Sequence, residues 1–586
     1  MKNWILVRPK ADCTEASKEL NIDPVCVRIM NNRGLDTVQK MRRFLETDIS
    51  DCDNFDGMPN MEQASNCIEE ALQNKVKTRI IGDYDADGVC ATVILVKGLR
   101  ILGLDVDFAI PNRMLDGYGL NRSIVDKAYE DNIGLIVTCD NGISARDAVD
   151  YASELGMKTV VTDHHTVTES EMPTKADALV NPKMPQSSYA NEDICGALVA
   201  YKLLSYVLKK EDFSRIKDEL LEFVAIATVT DVMPLIKENR DVVRWGLQRI
   251  DNPVNSGLKT LVRSLGINKN DKQHGTSVFG FAIGPCINAT GRIDIADRAV
   301  NLFLSENEEE RRSIAEELIK INEERKILTK ECVEKGISII ENNSELLKDA
   351  IVVLYIPECH VSICGLVAGK IKDKYYRPTF VFTDSKEGLT GSGRSVDEFD
   401  MIDGVVACKE LLTKFGGHKK ACGLSMKKEN LLLFREKINK EAGVTVDSLI
   451  ETIRIDANMP FGYVTERLTE DLNRLEPFGK ENETPVFALK DLVIVNARRV
   501  GETGMHLFLY IRDNKGTIRM LKLWREADNF DAFLLNNTSK DIVERMYTDE
   551  GIEKDNVKIT VSYFPSINEF NGKRRVEYKM IDYKMS

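Results

Sequence analysis

The chain has 586 residues, of which 43% are hydrophobic and 30% charged, and its net charge is −13. The length predicts three or four domains at roughly 150 residues each, and the composition excludes a disordered tail or a small disulfide-stapled domain. The negative balance argues against a surface that coats duplex DNA, yet leaves room for a nucleic-acid enzyme with a locally basic groove. No apolar run reaches the roughly 18–20 residues that a membrane span needs, and the start and end carry no signal-peptide or lipidation pattern, so a cytoplasmic chain without membrane attachment is expected. Thirteen cysteines lie between Cys13 and Cys422 with no C-x-x-C pair. They predict a reducing compartment and no structural zinc.

Residues 1–60 carry no motif and are expected to form a leader packing on the first lobe. From Thr78 onward, short apolar runs alternate with helix-length segments: Arg79–Ile81, Gly134–Thr138 and Thr159–Thr162. This alternation predicts an α/β domain over 61–300 with a parallel sheet, whose strands are continuously apolar because both faces are covered. Residues 301–345 are expected to be a connector helix between two lobes, with Ile314, Leu318, Ile321 and Leu328 on one face. A second α/β unit over 346–450 starts at the run Ala350–Leu354. Residues 451–586 read as short alternating strands, such as Leu507–Ile511 and Val557–Val561, and predict a small β-barrel.

The informative residues close the apolar segments of the first unit. Asp83, Asp85 and Asp87 lie within G-D-Y-D-A-D-G, directly after Arg79–Ile81 and before a helical stretch, Val89–Leu99. Cys139-Asp140-Asn141-Gly142 follows the second run, Asp163-His164-His165 the third, and Asp231 closes the run Phe223–Thr230. In open parallel sheets the carboxyl ends of the strands form the ligand-binding edge, so these groups are expected to converge. Gathered carboxylates repel unless protons or cations neutralise them. Oxygen ligands with one or two imidazoles select Mn²⁺ or Mg²⁺ over zinc. There are acids enough for two ions, about 3.5–4 Å apart, sharing a carboxylate. A calcium loop is disfavoured because its twelfth position, counted from Asp83, is Ile94.

The set DYDADG, CDNG, DHH and TDVMP resembles the four motifs of the DHH phosphoesterase superfamily, and is most similar to those of the RecJ family of single-strand-specific exonucleases. PNRMLDGYGLN (111–121), ALVNPK (178–183), GPCINATGRI (284–293) and LEPFGKENETPVF (475–487) also look like RecJ segments. GSGRS (391–395) and GGHKKACGLS (416–425) are similar to the DHHA1 domain. The resemblance implies two α/β lobes, DHH and DHHA1, joined by a long helix and followed by an oligonucleotide-binding (OB) barrel. It implies metal ligation by Asp85, Asp87, Asp140, His164 and Asp231, with Asp140 bridging, Asp83 in or just behind the ligand set, and His165 beside the phosphate.

Three departures stand out. Ile81 occupies a position where many superfamily members carry a histidine ligand, so one ion is expected to be held more weakly. The helix opening after His360 lacks the usual proline and glycine, and Cys286 stands where RecJ usually has arginine.

For the substrate, Gly416, Gly417 and His418, with Ser392, Gly393 and Arg394, are candidate phosphate binders. Backbone amides at glycines approach phosphate closely, and arginine suits it bidentately. Arg113 and Arg292 are the candidates on the first lobe, and Tyr118 a base-stacking one. The basic turn Asn571–Arg575 suits capture of a single strand.

The resulting expectation is a metal-dependent 5′→3′ exonuclease. It would hydrolyse single-stranded DNA to 5′-mononucleotides in recombination and repair, with two lobes clamping a groove. Its partners would be single-stranded DNA and a helicase or single-strand-binding protein, and it would act as a monomer. The rivals are a phosphodiesterase for short oligonucleotides or cyclic dinucleotides, against which the barrel argues, and a non-catalytic binding subunit, against which the complete acidic set argues.

Overall fold

The computed structural model describes residues 2–8, 13–111, 119–267, 274–293, 297–386, 388–570 and 573–586. It divides into two units, one built from residues 4–109, 119–284 and 453–586, the other from 1–3, 110–118 and 285–452.

The first unit holds a five-stranded parallel sheet of β1 (Thr78–Ile81), β2 (Val106–Ala109), β3 (Leu135–Cys139), β4 (Lys158–Thr162) and β5 (Ala178–Val180), in the order β2-β1-β3-β4-β5. Every residue of β3 is buried, as expected for a strand covered on both faces. Helix α1 (Ala86–Leu102) leaves β1 through the acidic loop. Asp85 caps it, accepting from the backbone N–H of Asp87 at 2.9 Å and of Gly88 at 3.1 Å, and Gly103 ends it with φ 102°. Helices α2 (Gly196–Val207) and α3 (Lys210–Thr230) pack against α1. The run Phe223–Thr230, grouped above with the strand ends, is thus the buried end of a 21-residue helix. Its first six residues, Phe223–Thr228, are all buried, and a stretch covered on every side has no periodicity to separate helix from strand.

In the second unit, the long helix α4 (Glu308–Glu341) precedes a mixed sheet of β6 (Val352–Tyr355), β7 (Thr379–Ser385), β8 (Gly388–Arg394), β9 (Leu412–His418) and β10 (Ala421–Met426), ordered β9-β10-β8-β7-β6. Helix α5 (Cys364–Tyr375) packs on β7, β8 and α4. On α4 the buried stripe runs through Ala315, Leu318, Ile321, Thr329, Cys332, Gly336 and Ile340. Leu328, expected on that face, is 40% exposed. The helix lies inside the expected 301–345, and packing of its second half on α5 and β6 sets the face there.

The C-terminal strands belong to the first unit. They are β11 (Ala457–Asn458), β12 (Phe487–Val500), β13 (His506–Arg512), β14 (Ile518–Leu523), β15 (Lys558–Phe570) and β16 (Lys573–Met585), in the order β11-β12-β13-β14-β16-β15. Pairing of β12 with β15 closes five of them into a barrel and removes the exposed edges. The segment 1–60, expected on the first lobe, divides its packing. Cys52 and Asp53 reach the α/β sheet domain through Glu238 and Tyr201. Leu20, Ile22, Val27, Ile29, Met30, Met41 and Leu45 share a core with the barrel residues Phe461, Phe487, Leu509 and Tyr563. Amphipathic helices of seven to nine residues need a partner face, and the barrel supplies it.

Candidate metal centre

At the carboxyl edge of the parallel sheet, three overlapping clusters of side chains each bring their ligating atoms within 4.8 Å of one another: Asp83, Asp85 and Asp140; Asp87, His164 and Asp231; Asp140, His164 and His165. All seven residues expected from the sequence converge here, with Asp140 and His164 common to two clusters each. His164 Nε2 is 3.1 Å from Asp140 Oδ1, 3.5 Å from Asp231 Oδ2 and 3.7 Å from Asp87 Oδ2, with no hydrogen bond of normal geometry at this nitrogen.

Each side chain is held by local structure. Both Asp87 oxygens accept from the first turn of α2, Oδ2 from Gly196 N at 2.6 Å and Oδ1 from Ala197 N at 2.7 Å. A carboxylate at a helix N-terminus meets unsatisfied N–H groups and the positive end of the dipole. Asp140 follows β3 in the left-handed region, at φ 60°, and a Cβ at Gly196 would stand 2.7 Å from its Cβ. Asn141 fixes the turn, donating through Nδ2 to the carbonyls of Ile81 and Cys139 at 3.0 and 2.9 Å. Asp231 caps the end of α3. The next residue, Val232, has φ 55°, a strained conformation for a β-branched side chain.

Asp163 was quoted within its motif but not counted among the site residues, and it organises the histidine loop. Its Oδ1 accepts from His164 N at 2.7 Å and His165 N at 3.1 Å and lies 2.7 Å from His165 Nδ1. Its Oδ2 accepts from Ile143 N at 3.0 Å, in the loop after β3. An acid placed directly before two histidines at a strand end was the available signal. Gly196 had none, since its role depends on α2 meeting Asp140. Ile81 is fully buried in the core and offers no ligand atom.

Burial and the charge of Asp85 push the Asp87 carboxyl up to about 7. Burial, with the charges of Asp87, Asp85, Asp231 and Asp83, raises Asp140 well above the ordinary carboxylate range, and burial with Asp87 and Asp85 does the same to Asp231. Burial pushes His164 down to about 3, which leaves it a neutral ligand. Burial opposes ionisation of Asp163, but its bond to His165 prevails and holds it at about 2. Buried acids forced toward protonation around a neutral imidazole with an unused nitrogen fit divalent cations, which relieve the repulsion and accept the free donor atoms. Oxygen-rich ligands with one imidazole suit Mn²⁺ and Mg²⁺.

Among the remaining expected residues, Arg113 and Tyr118 lie outside the described residues, and Arg292, expected on the first lobe, falls in the second unit and is described only by its backbone, in the helix Gly284–Ile293. The other six are in the second unit. Ser392, Gly393 and Arg394 end β8, and Gly416, Gly417 and His418 end β9, with β10 between them. Register places Arg394 opposite Ala421 and Ala421 opposite His418, so arginine and histidine share one face two strands apart. Cys286 is fully buried and accepts from Asn322 Nδ2 at 3.4 Å. Of the basic segment Asn571–Arg575, Asn571 and Gly572 lie outside the described residues, and Arg574, in β16, is paired with Glu470 at 2.7 Å.

Residues 77–228 match the DHH family, N-terminal domain, residues 348–443 the DHHA1 domain, and residues 455–582 the RecJ OB domain. The single-stranded-DNA-specific exonuclease RecJ of Haemophilus influenzae is 31% identical over 96% of both chains. That of Bacillus subtilis is also 31% identical, over all of this chain and 71% of its own. The chain belongs to the RecJ family. A Thermus thermophilus RecJ crystal structure in complex with Mn²⁺ superposes with a TM-score of 0.80 at 26% identity, covering all of this chain and 80% of that one. A second RecJ structure, bound to manganese, aligns at 29% identity with a TM-score of 0.57, covering 67% of this chain and 98% of that one.

Proposed function

We propose that the chain is a metal-dependent 5′→3′ exonuclease that hydrolyses single-stranded DNA to 5′-mononucleotides, in recombination and repair. The carrying observation is the buried Asp87–Asp140–His164–Asp231 cluster, in which His164 Nε2 faces three carboxylates without a hydrogen bond. Family membership and a complete motif set support the same reading.

Asp85, Asp87, Asp140, His164 and Asp231, with Asp83 beside Asp85 and Asp140, would hold two Mn²⁺ or Mg²⁺ ions, and Asp140 belongs to two of the clusters. Bound there, the ions supply neutralisation of the acids and Lewis acidity at phosphorus. Asp163 fixes the His165 ring; their hydrogen bond, against the opposing effect of burial, raises His165 to about 9 and keeps it cationic at neutral pH. A cation so placed orients and stabilises a phosphate rather than ligating a metal. Asp87 keeps α2 docked, which positions Asp140. On the other unit, Ser392, Gly393 and Arg394 with Gly416, Gly417 and His418 would hold phosphates. Arg113, Arg292 and Tyr118 are further candidates for the nucleic acid on the strength of the sequence.

A single chain supplies the whole cluster, which supports a monomer as the working form. A requirement for single strands implies a strand-separating enzyme upstream, so a helicase or single-strand-binding protein is the expected partner. Among the described residues no disulfide joins any of the thirteen cysteines, which supports a cytoplasmic setting, and no helix is long and apolar enough to cross a membrane.

The test is incubation with Mn²⁺ and a 5′-labelled single strand of about 30 nucleotides, longer than one barrel's binding site. An Asp140→Ala variant, a blunt duplex and a dinucleotide run alongside. Early release of labelled mononucleotide, absent from the variant and the duplex, is the expected result. Intact long strands with a cleaved dinucleotide would overturn it in favour of a short-oligonucleotide phosphodiesterase, and binding without cleavage in favour of a binding subunit.

A further inference from the structure

Inside the first unit, the helices Val38–Leu45 and Lys237–Arg249 and the segment 189–191 surround a pocket of about 650 Å³. It shares no residue with the metal centre. Its volume falls within the roughly 300–1,000 Å³ of small-molecule sites and is well above what a bare ion fills. Leu35, Phe44 and Ile236 give it apolar walls, and Tyr189 adds an aromatic one. Two arginines stand among them: Arg33, which follows the helix Pro24–Asn32, and Arg240.

Both guanidiniums are held by neutral acceptors. Arg33 donates to Asn482 Oδ1 and to the Glu483 carbonyl. Arg240 Nη2 donates to the carbonyls of Arg474 and Glu476 at 3.0 and 2.8 Å, and its Nε and Nη1 are buried without a partner. Its guanidinium lies 4.0 Å from the centre of the Phe44 ring. Three of the acids on the wall are bound to other cations, Asp51 and Asp241 to Arg43 and Glu238 to Lys202, and the other two, Asp56 and Glu481, are exposed. Burial lowers Arg240 to about 9, with the charge of Arg244 acting in the same direction and Asp241 too weak to offset them. Burial also lowers Arg33, against the charges of Asp456 and Glu483. Positive charge that no carboxylate neutralises is costly to bury, and a planar fork matches the oxygens of an anion. Two such forks beside apolar walls suit an organic anion with a flat, apolar body.

We propose that this pocket is a second ligand site and takes a nucleoside 5′-monophosphate, its phosphate at Arg33 and Arg240 and its base against Leu35, Phe44 and Ile236. A mononucleotide joins the two features the pocket asks for. The exonuclease reading makes it the product of every turnover, so the choice of a nucleotide over other organic anions rests on that reading. Occupancy would tie together three segments distant in sequence: the N-terminal helices, the helix Lys237–Arg249 and the entry to the barrel at 481–482.

The test is calorimetric titration of the full chain with thymidine 5′-monophosphate, thymidine or inorganic phosphate, without divalent metal. An Asp140→Ala, Arg394→Gln background removes contributions from the metal centre and from the glycine-rich strand of the second unit. The monophosphate is expected to bind, and thymidine and phosphate to bind about tenfold more weakly or worse. Arg33→Gln should weaken the monophosphate about tenfold. Gln39→Trp, at an exposed position on the wall, should do so by filling the space, and it serves if Arg33→Gln fails to fold. Three results overturn the proposal: no binding in this background, parental affinity in both variants at a parental melting temperature, or equal affinity for thymidine or phosphate and the monophosphate. If the monophosphate binds here while the parent chain releases no mononucleotide from labelled single strands with Mn²⁺, the exonuclease reading fails and the pocket stands.

Discussion

Replacing Gly196 with alanine tests whether the hold of α2 on the acid cluster matters to the reaction. The new methyl carbon would stand 2.7 Å from Asp140 Cβ, 2.9 Å from Oδ1 and 3.0 Å from Cα. Ordinary contact starts at 3.4 Å, so the carboxylate or the helix must retreat by about 0.7 Å, the difference between 2.7 and 3.4 Å. The same residue donates to Asp87 Oδ2 at 2.6 Å, so a retreat of the helix pulls on a second member of the cluster. Misplacement by about 1 Å can lower a rate about 100-fold. A shift of about 0.7 Å then predicts a loss of roughly 10- to 100-fold in kcat/KM, equivalent to about 1.4–2.7 kcal/mol. Overpacking should lower stability by about 1–3 kcal/mol. The assay is mononucleotide release from a labelled single strand across a Mn²⁺ titration, with thermal unfolding recorded in parallel. Gly462→Ala, whose methyl would meet nothing within 4 Å, should behave like the parent. A folded Gly196→Ala protein with a rate within about twofold of the parent would refute the reasoning, since it would show that Asp140 tolerates a displacement the geometry says it does not.

Asp163→Asn removes the charge and turns one of the two accepting oxygens into a donor, so the side chain can no longer both orient His165 and accept from Ile143 N, and should lower activity or Mn²⁺ affinity about 10- to 100-fold; calorimetric metal titration and kcat together would show it, and parental values in both would sink the idea. Met30→Ala opens a hole in the core that the N-terminal helices share with the barrel, and should lower the urea unfolding free energy by about 2–5 kcal/mol; a change near zero would mean those helices contribute little. Asp107, bound bidentately by Arg79 at 2.8 Å, is held below its ordinary value of 3.8 by that arginine, against the effect of burial. The folded state therefore binds fewer protons, so the stabilisation is complete above 3.8 and is lost as pH falls through the lower folded value. Asp107→Asn should lower stability by about 1 kcal/mol or less at pH 7, as the pair is partly exposed, and the difference from the parent should vanish in strong acid. A difference that persists there would point to lost packing instead.

Much of the metal centre was readable along the chain because its chemistry is local. Asp83, Asp85, Asp87, Asp140, His164 and His165 each follow a short apolar strand within a few residues, and a parallel sheet delivers all such strand ends to one edge. Sheet order needed no further information for those six. Asp231 joins the cluster from the end of a helix and not of a strand, because a largely buried helix end and a buried strand share one composition. The closed barrel was likewise visible in its alternating strands, since alternation reports directly on inside and outside.

The remaining features depended on encounters between distant segments. That α2 presents its first two N–H groups to Asp87 and leaves no room for a side chain beside Asp140 follows from the docking of residue 196 on residues 87 and 140. The N-terminal helices show an apolar face in their own residues, but nothing in that face names the barrel as its partner. Arg33 and Arg240 are two charges among many, and only the packing of the N-terminal helices against the helix Lys237–Arg249 sets them, each without a paired acid, on one pocket. Periodicity and strand-end chemistry are properties of neighbours in sequence, so the sequence alone determined the acid edge and the barrel. Which buried face meets which, and which charge is left unpaired, are properties of neighbours in space, and the tertiary structure alone decided them.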